Sequence, residues 1–585
     1  MKTIYSIITF FTLLVITTTA SAFQNPSAKD QVSELYNVAT QLRADYGSLS
    51  RFYTVTNSPE RRERMVEFFN SYEDKLKKLN FKNLSNAGQV DYVLIKRYID
   101  DNLYQLKQEG EEVDAMRELT SFADPIYAIE KLRRRGKHLD SEDIAKQFNA
   151  MSNSLEDLTR KLKASDSSYP KNLTDRASRT IRGYQQALSS VFSFYDGYDT
   201  EFSWWITKPY ERLSKQLTDY AQLLRTKVDP STQPKDDGSG IIGNPIGRVE
   251  LIRQLEKEMI PYTPEELVDM AMKEFAWCDE ELLKASREMG FGDDWKAAQE
   301  KVKMSFVPAG QQPEAMLDLY NQSVDFLKSN DLISIPPIAE ETWRMTMISP
   351  ERQLISPFFL GGEVLQISYP TDDMEHDDKM MSMRGNNPHF SRSTVHHELI
   401  AGHHLQRFMN NRYKDYRFFG TPFWTEGWAL YWELLLWDLD FPRNAEDRIG
   451  MLFWRMHRCA RIIFSLNYHL NKWTPQECID FLVDRVGHER ANAEAEVRRS
   501  FTGNYGPLYQ IAYMVGGQQF YALKRELVDN GNMSLKEFHD AVMRENAMPV
   551  EMVRAILTEQ KLSPEFETNW RFYSPQMNAE NMKRY

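Results

Sequence analysis

The sequence predicts a mostly α-helical protein with a small β element just before a histidine-rich helix. Three observations predict it. Apolar residues recur at helical spacing on both sides of one Pro- and Gly-rich stretch. Capping signatures mark helix starts at Ser58-Pro59-Glu60, Thr263-Pro264-Glu265-Glu266 and Thr474-Pro475-Gln476-Glu477. Strand-like alternation is confined to about residues 343–370. The chain has 585 residues, 42% hydrophobic and 12% aromatic, which is ample for two packed subdomains or one large helical domain. A formal net charge of -12 argues against a nucleic-acid partner or an anionic membrane surface. Its mixed-sign distribution reads as a solubility charge.

Residues 1–22 have the form of a signal peptide. Lys2 supplies the positive start, Ile4 to Thr17 the apolar run, and Ala20-Ser21-Ala22 the small-residue cleavage site. The run is too short for a membrane span with these flanks. No cysteine lies near the site, so no stable membrane anchor is expected. The mature protein is expected to be exported, periplasmic or secreted.

Residues 23–230 read as an N-terminal helical region. After Ser58, the residues Met65, Phe68, Phe69, Tyr72, Leu76 and Leu79 keep helical spacing. Arg133-Arg134-Arg135 reads as a solvated basic face. Residues 228–247 are rich in Pro, Gly, Ser and Asp, and read as a linker, a long surface loop or a loop on the catalytic side. Residues 231–585 form the expected catalytic region. Gly290 and Gly487 stand where the helices opened by Thr263 and Thr474 would stop.

Trp343 to Ile348 and Val364 to Tyr369 read as short strands. They either line a cleft, where an extended peptide can pair with a strand edge, or form a structural hairpin. The acidic run Thr371 to Asp378 lacks the glycine and terminal glutamate of a calcium loop, and reads as a solvated loop. Cys278, Cys459 and Cys478 lack metal or redox spacing and read as buried free thiols.

The chemistry concentrates between His396 and Glu433. Four of the eleven histidines, His396, His397, His403 and His404, fall within nine residues, and Glu398 follows the first pair. Glu426 and Glu433 come on a second apolar-rich helix. Histidines plus a carboxylate, with one position left for water, are what a hydrolytic zinc site needs. The familiar H-E-x-x-H spacing fails, because position 401 is alanine. On a regular helix, i+6 points about 120° away and i+7 lies about 10.5 Å along the axis. Neither lets two imidazoles share an ion whose bonds to nitrogen are only about 2.1 Å. A shared metal site therefore requires the helix to bulge or unwind between Glu398 and His403, and Gly402 would ease that.

His397, Glu398, Gly402, His403, His404 and Gln406, then Glu426, Gly427, Trp428, Ala429 and Tyr431, resemble a bacterial zincin-like family labelled a domain of unknown function. Its signature is H-E-x-x-P-G-H-H-x-Q followed by E-G-W-A-x-Y, and Ala401 replaces its proline. The chain is more distantly similar to angiotensin-converting enzyme and thimet-oligopeptidase-like metallopeptidases. The resemblance implies a helical zincin-like metallopeptidase fold and bound Zn2+. It implies His397 and Glu426 as ligands, Glu398 as general base, and His403 or His404 as the second nitrogen ligand. His403 is the favoured choice, with the other histidine and Glu433 supporting the site. Tyr513 and Gly516 match a downstream element of the family, in which Tyr509-Gln510 replaces Gln-Ala. Tyr513 is the candidate oxyanion donor, or else a tyrosine packed between helices. Arg498 or Arg499 are candidates for binding a peptide carboxylate. His376, His389, His457 and His469 read as structural.

The expected function is a zinc metallopeptidase acting on short peptides in a cleft. A zinc amidase or esterase uses the same water chemistry and stays open. A non-catalytic peptide-binding protein would be expected to have lost Glu398 or a ligand. A di-iron bundle would want Glu-x-x-His pairs, and three residues after Glu398 stands Ala401.

Overall fold

Local capping and the helices it opens agree in the computed structural model, which describes residues 32–233, 235–353, 360–368, 370–503 and 505–573. Residues 1–22, Tyr369 and Asn504 lie outside the described residues. The Ser58 hydroxyl accepts the Arg61 N–H and opens the helix Pro59–Lys77, which buries Met65, Phe68, Phe69, Tyr72 and Leu76. Thr263 and Thr474 form full capping boxes with Glu266 and Glu477, starting the helices Pro264–Glu288 and Pro475–Phe481. Gly290 and Gly487 follow at φ +87° and +84°, in the left-handed region that favours glycine.

The fold is mostly α. Among the described residues the only sheet pairs two strands, β1 (Arg344–Met347) and β2 (Val364–Ile367). They run parallel, with Arg344 opposite Val364 and Met347 opposite Ile367, so they are not a hairpin. Alternation reports that a strand forms, not which way its partner runs. On its other side β2 exchanges hydrogen bonds between Gln366 and Leu360, which brings residues 360–362 against Glu398. The acidic run is only half loop. A helix begins at His376, with Asp377 and Asp378 in its first turn, where the helix dipole favours negative charge.

Among the described residues three apolar cores hold the molecule, and they do not follow the boundary near residue 230. Leu35 to Leu106 share one core with residues between Met316 and Leu557. Val55 and the residues from Val113 to Leu224 build a second. A third joins Ile241 and the following helices to the helix Ala445–His469. The first helices are tied to the far half by a buried charge cluster. Arg417 Nε meets Asp91 Oδ1 at 2.7 Å, and its Nη1 meets Glu545 Oε2 at 2.7 Å. The Pro- and Gly-rich stretch is a pinned surface segment. Arg498 donates to the Gly240 carbonyl at 3.0 Å, and the Gln476 N–H donates to Asp237. The three cysteines are buried and free. No helix of the described residues is long and apolar enough to cross a membrane.

Candidate metal centre

The side chain of Asn387 accepts the N–H groups of His389 and Phe390 and starts the helix Pro388–Glu398. That helix stops at Glu398, Leu399 leaves helical geometry, and a new helix, His403–Asn410, begins at the second histidine pair. The unwound turn does what the spacing requires. The rings of His397 and His403 come to 4.9 Å, edge to face. The Gly402 N–H donates to the His396 carbonyl at 3.0 Å. A Cβ at residue 402 would lie 1.8 Å from the His397 carbonyl oxygen, so only glycine fits. Trp428 Nε1 holds the Ala401 carbonyl at 2.8 Å.

Glu426 arrives on the helix Pro422–Asp438, which packs on the helix Tyr509–Lys524 through glycine. A Cβ on Gly427 would meet Gly516 backbone at 2.5 Å, and one on Gly516 would meet the Phe423 carbonyl at 2.1 Å. This backbone-to-backbone approach sets Tyr509 and Tyr513 beside Glu426. Tyr509 Oη donates to Glu426 Oε1 at 2.5 Å. Glu426 Oε2 then faces His397 Nε2 at 3.4 Å and His403 Nε2 at 3.2 Å.

The other nitrogen of each ring is committed. His397 Nδ1 lies 2.7 Å from Glu433 Oε1, and His403 Nδ1 lies 3.1 Å from Gln406 Oε1. Both partners are acceptors, so both Nδ1 atoms carry hydrogen, and in the neutral rings both Nε2 lone pairs point inward. One atom from each of His397, His403 and Glu426 lies within 4.8 Å of the others. Glu426 Oε2 is buried with no hydrogen-bond partner among the described residues. Three electron-rich atoms facing one another need a cation or protons between them. Burial pushes His403 down, but the Glu426 carboxylate outweighs it and lifts the imidazole to about 9. Burial raises Glu426, yet the two histidines hold it well below the usual range. The donor set, two imidazoles and a carboxylate with both imidazoles held from behind, fits zinc.

The cluster opens into a cavity of about 320 Å³ lined also by Glu398, Gly361, Tyr505, Tyr509 and Tyr513. Burial raises the Glu398 carboxyl, with His403 and His397 opposing. A side chain at Gly361 would clash with Glu398, at 2.2 Å from Oε2. Burial also pushes the Tyr513 phenol up, so it stays protonated. The Tyr513 ring lies parallel to His397, with centroids 6.0 Å apart. Gln366 and Leu360 line the cavity too, but their mutual backbone bonds occupy the groups a peptide strand would use there.

Five expected site residues, His397, Glu398, His403, Glu426 and Tyr513, converge on this cavity. His404 does not. Its Nε2 bonds the Ala339 carbonyl at 2.7 Å, it is not among the residues that line the cavity, and the group bonded to His403 Nδ1 is Gln406. Glu433 stands behind His397, bonded to its Nδ1. Burial raises its pKa, but Arg458 and His397 hold it down at about 2. Arg499 lines the cavity, whereas Arg498 is spent on the 239–240 loop. His389 bonds Asp447 at 2.7 Å, and His457 bonds His488 at 2.8 Å. Sequence reasoning missed Tyr509, Arg458, Arg461 and Glu496. The available signals were a tyrosine where the family pattern has glutamine, and two arginines, Arg458 and Arg461, set among the apolar residues of the helix Ala445–His469.

A family profile described as "Bacterial protein of unknown function (DUF885)" matches residues 39–557. Two solved structures share the fold at 16% identity. One, a candidate lipoprotein of unknown function from Shewanella oneidensis, superposes with a TM-score of 0.65 over 89% of this chain and 99% of its own. The other, a candidate lipoprotein from Colwellia psychrerythraea, gives 0.54 over 90% and 97%. No curated protein matches the chain.

Proposed function

The chain belongs to the bacterial DUF885 family, whose function its description leaves open, and on that footing we propose that it is an exported, zinc-dependent peptide hydrolase. The observation that carries this reading is the convergence of His397 Nε2, His403 Nε2 and Glu426 Oε2 with no donor between them, next to Glu398 in one cavity. Zincin-like chemistry follows from that set rather than from the fold. Export rests on the form of residues 1–22, and the two structural neighbours are themselves described as candidate lipoproteins.

His397, His403 and Glu426 would hold the ion. Bound zinc supplies a Lewis acid and lowers the pKa of a coordinated water to about 7. Glu433 and Gln406 fix the tautomers that turn both Nε2 atoms inward. Tyr509 orients Glu426 by occupying its other oxygen. Glu398, made more basic by burial, takes the proton from the attacking water and returns it to the leaving amine. Tyr513, kept protonated, donates to the oxyanion that forms at the carbonyl.

Incubating the purified protein with a mixed peptide library, with and without a zinc chelator, tests this by mass spectrometry. Chelator-sensitive cleavage of short peptides and an intact folded albumin are expected. Hydrolysis of a non-peptide acyl substrate without any peptide cleavage would favour the amidase or esterase reading.

A further inference from the structure

Four arginines line the same cavity, Arg407, Arg458, Arg461 and Arg499, and the proposed reaction does not use them; the last three share one wall. Arg458 and Arg461 come from the helix Ala445–His469 and Arg499 from the helix Arg490–Thr502. Arg458 is 5% exposed and Arg461 3% exposed. Two carboxylates serve all three. Glu496 takes Arg461 Nε at 2.7 Å and Arg499 Nη2 at 2.6 Å, and also accepts from Gln510. Glu433 takes Arg458 Nη2 at 3.2 Å while already bonded to His397. What remains is a set of unmet donors. Arg458 Nε, Arg461 Nη1 and Arg499 Nε are buried N–H groups with no acceptor among the described residues.

Leaving buried charged donors unpaired is costly, and all three side chains line one cavity, which points to an acceptor that arrives from outside. The Tyr513 ring braces both buried guanidiniums, with Arg458 4.7 Å and Arg461 4.4 Å from its centre. Each fork is thus held on one edge by glutamate and on its face by an aromatic ring. Charge gives the same answer. Arg407, Arg458, Arg461 and Arg499 stand against Glu398, Glu426, Glu433 and Glu496, so a divalent cation at His397 leaves the cavity net positive. Guanidinium forks match the planar geometry of a carboxylate. At about 320 Å³ the cavity admits the end of a chain and not a folded surface.

We propose that Arg458, Arg461 and Arg499 form a carboxylate-binding subsite, so that the bond cleaved lies close to a substrate carboxylate. The carboxylate is the free C-terminus of a peptide or an acidic side chain near the scissile bond. This rests on the peptide-hydrolase reading and gives it a direction: trimming from the carboxyl end, or cutting beside acidic residues.

The test uses the full-length, zinc-loaded protein and three N-acetylated peptides of one sequence: a C-terminal acid, its C-terminal amide, and the amide with glutamate next to the end. Cleavage is followed by mass spectrometry with and without chelator. Binding to the Glu398→Gln protein is followed by calorimetry. The acid should be preferred to the plain amide by roughly 10- to 100-fold in kcat/KM, mostly through KM, as expected for charge-assisted hydrogen bonds. Arg499→Gln should raise KM for the acid and narrow the gap, and Arg461→Lys should do the same if Arg499→Gln folds poorly. Equal preference for the acid and the glutamate-bearing amide over the plain amide would support the subsite with either carboxylate as its source, and preference for the glutamate-bearing amide alone would support it with the side chain as its source. Chelator-sensitive cleavage with no preference among the three would overturn the subsite and leave the hydrolase standing. Acid-selective binding without any chelator-sensitive cleavage would keep the subsite and remove the hydrolase.

Discussion

The two walls of the cavity carry the same defect with opposite sign. On one, three electron-rich atoms of His397, His403 and Glu426 converge without a donor among the described residues. On the other, three N–H groups of Arg458, Arg461 and Arg499 lack an acceptor among the described residues. The walls touch through Glu433, which accepts from both His397 and Arg458. The difference teaches which wall would answer to which ligand: on the proposed reading the first takes a cation and the second an anion. It also separates what is local in the chain from what is not. The ligand wall comes from residues 397–426 and carries its own signature. The arginine wall depends on Glu496 meeting a helix 35 residues earlier.

Breaking the ligand wall should have the largest effect. His397→Ala should strip zinc from the purified protein and abolish chelator-sensitive turnover, while the circular dichroism spectrum stays helical. Retained zinc would move that ligand elsewhere. Glu398→Gln comes next. It leaves every ligand atom in place, so zinc should stay bound while kcat falls by roughly 10²- to 10⁴-fold, the usual cost of losing a general base. Near-normal turnover would take Glu398 out of the mechanism. A smaller effect is expected one step behind the ligands. Tyr509→Phe frees Glu426 Oε1 and should weaken zinc binding by roughly 10- to 100-fold in a competition titration, as such supporting partners generally do. An unchanged zinc affinity would make the Tyr509 contact a packing detail.

Much of this was legible in the sequence, for physical reasons that differ from place to place. The capped helices at Ser58, Thr263 and Thr474 depend on neighbours within three residues, so a linear reading finds them. The break before His403 was legible because two imidazoles at i+6 cannot reach one ion on a straight helix. The choice between His403 and His404 stayed open there, since it turns on the Ala339 carbonyl, 65 residues away in the chain. The parallel pairing of β1 and β2 was hidden because alternation carries no direction. Nor does the apolar pattern say that Asp91 and Arg417 meet and draw the first helices into the core of the far half. Tyr509 looked like a mere departure from a pattern, and became a candidate only once Gly427 and Gly516 were seen to bring two helices into backbone contact.

The central claim is that the broken helix presents His403, and not its neighbour, to the same point as His397 and Glu426. Elemental analysis of the purified wild type, His403→Ala and His404→Ala, each dialysed against trace zinc, tests it most directly. The account predicts one equivalent of zinc in the wild type and in His404→Ala, and none in His403→Ala. Zinc lost from His404→Ala but kept in His403→Ala, or a wild type that takes up no zinc, would contradict it.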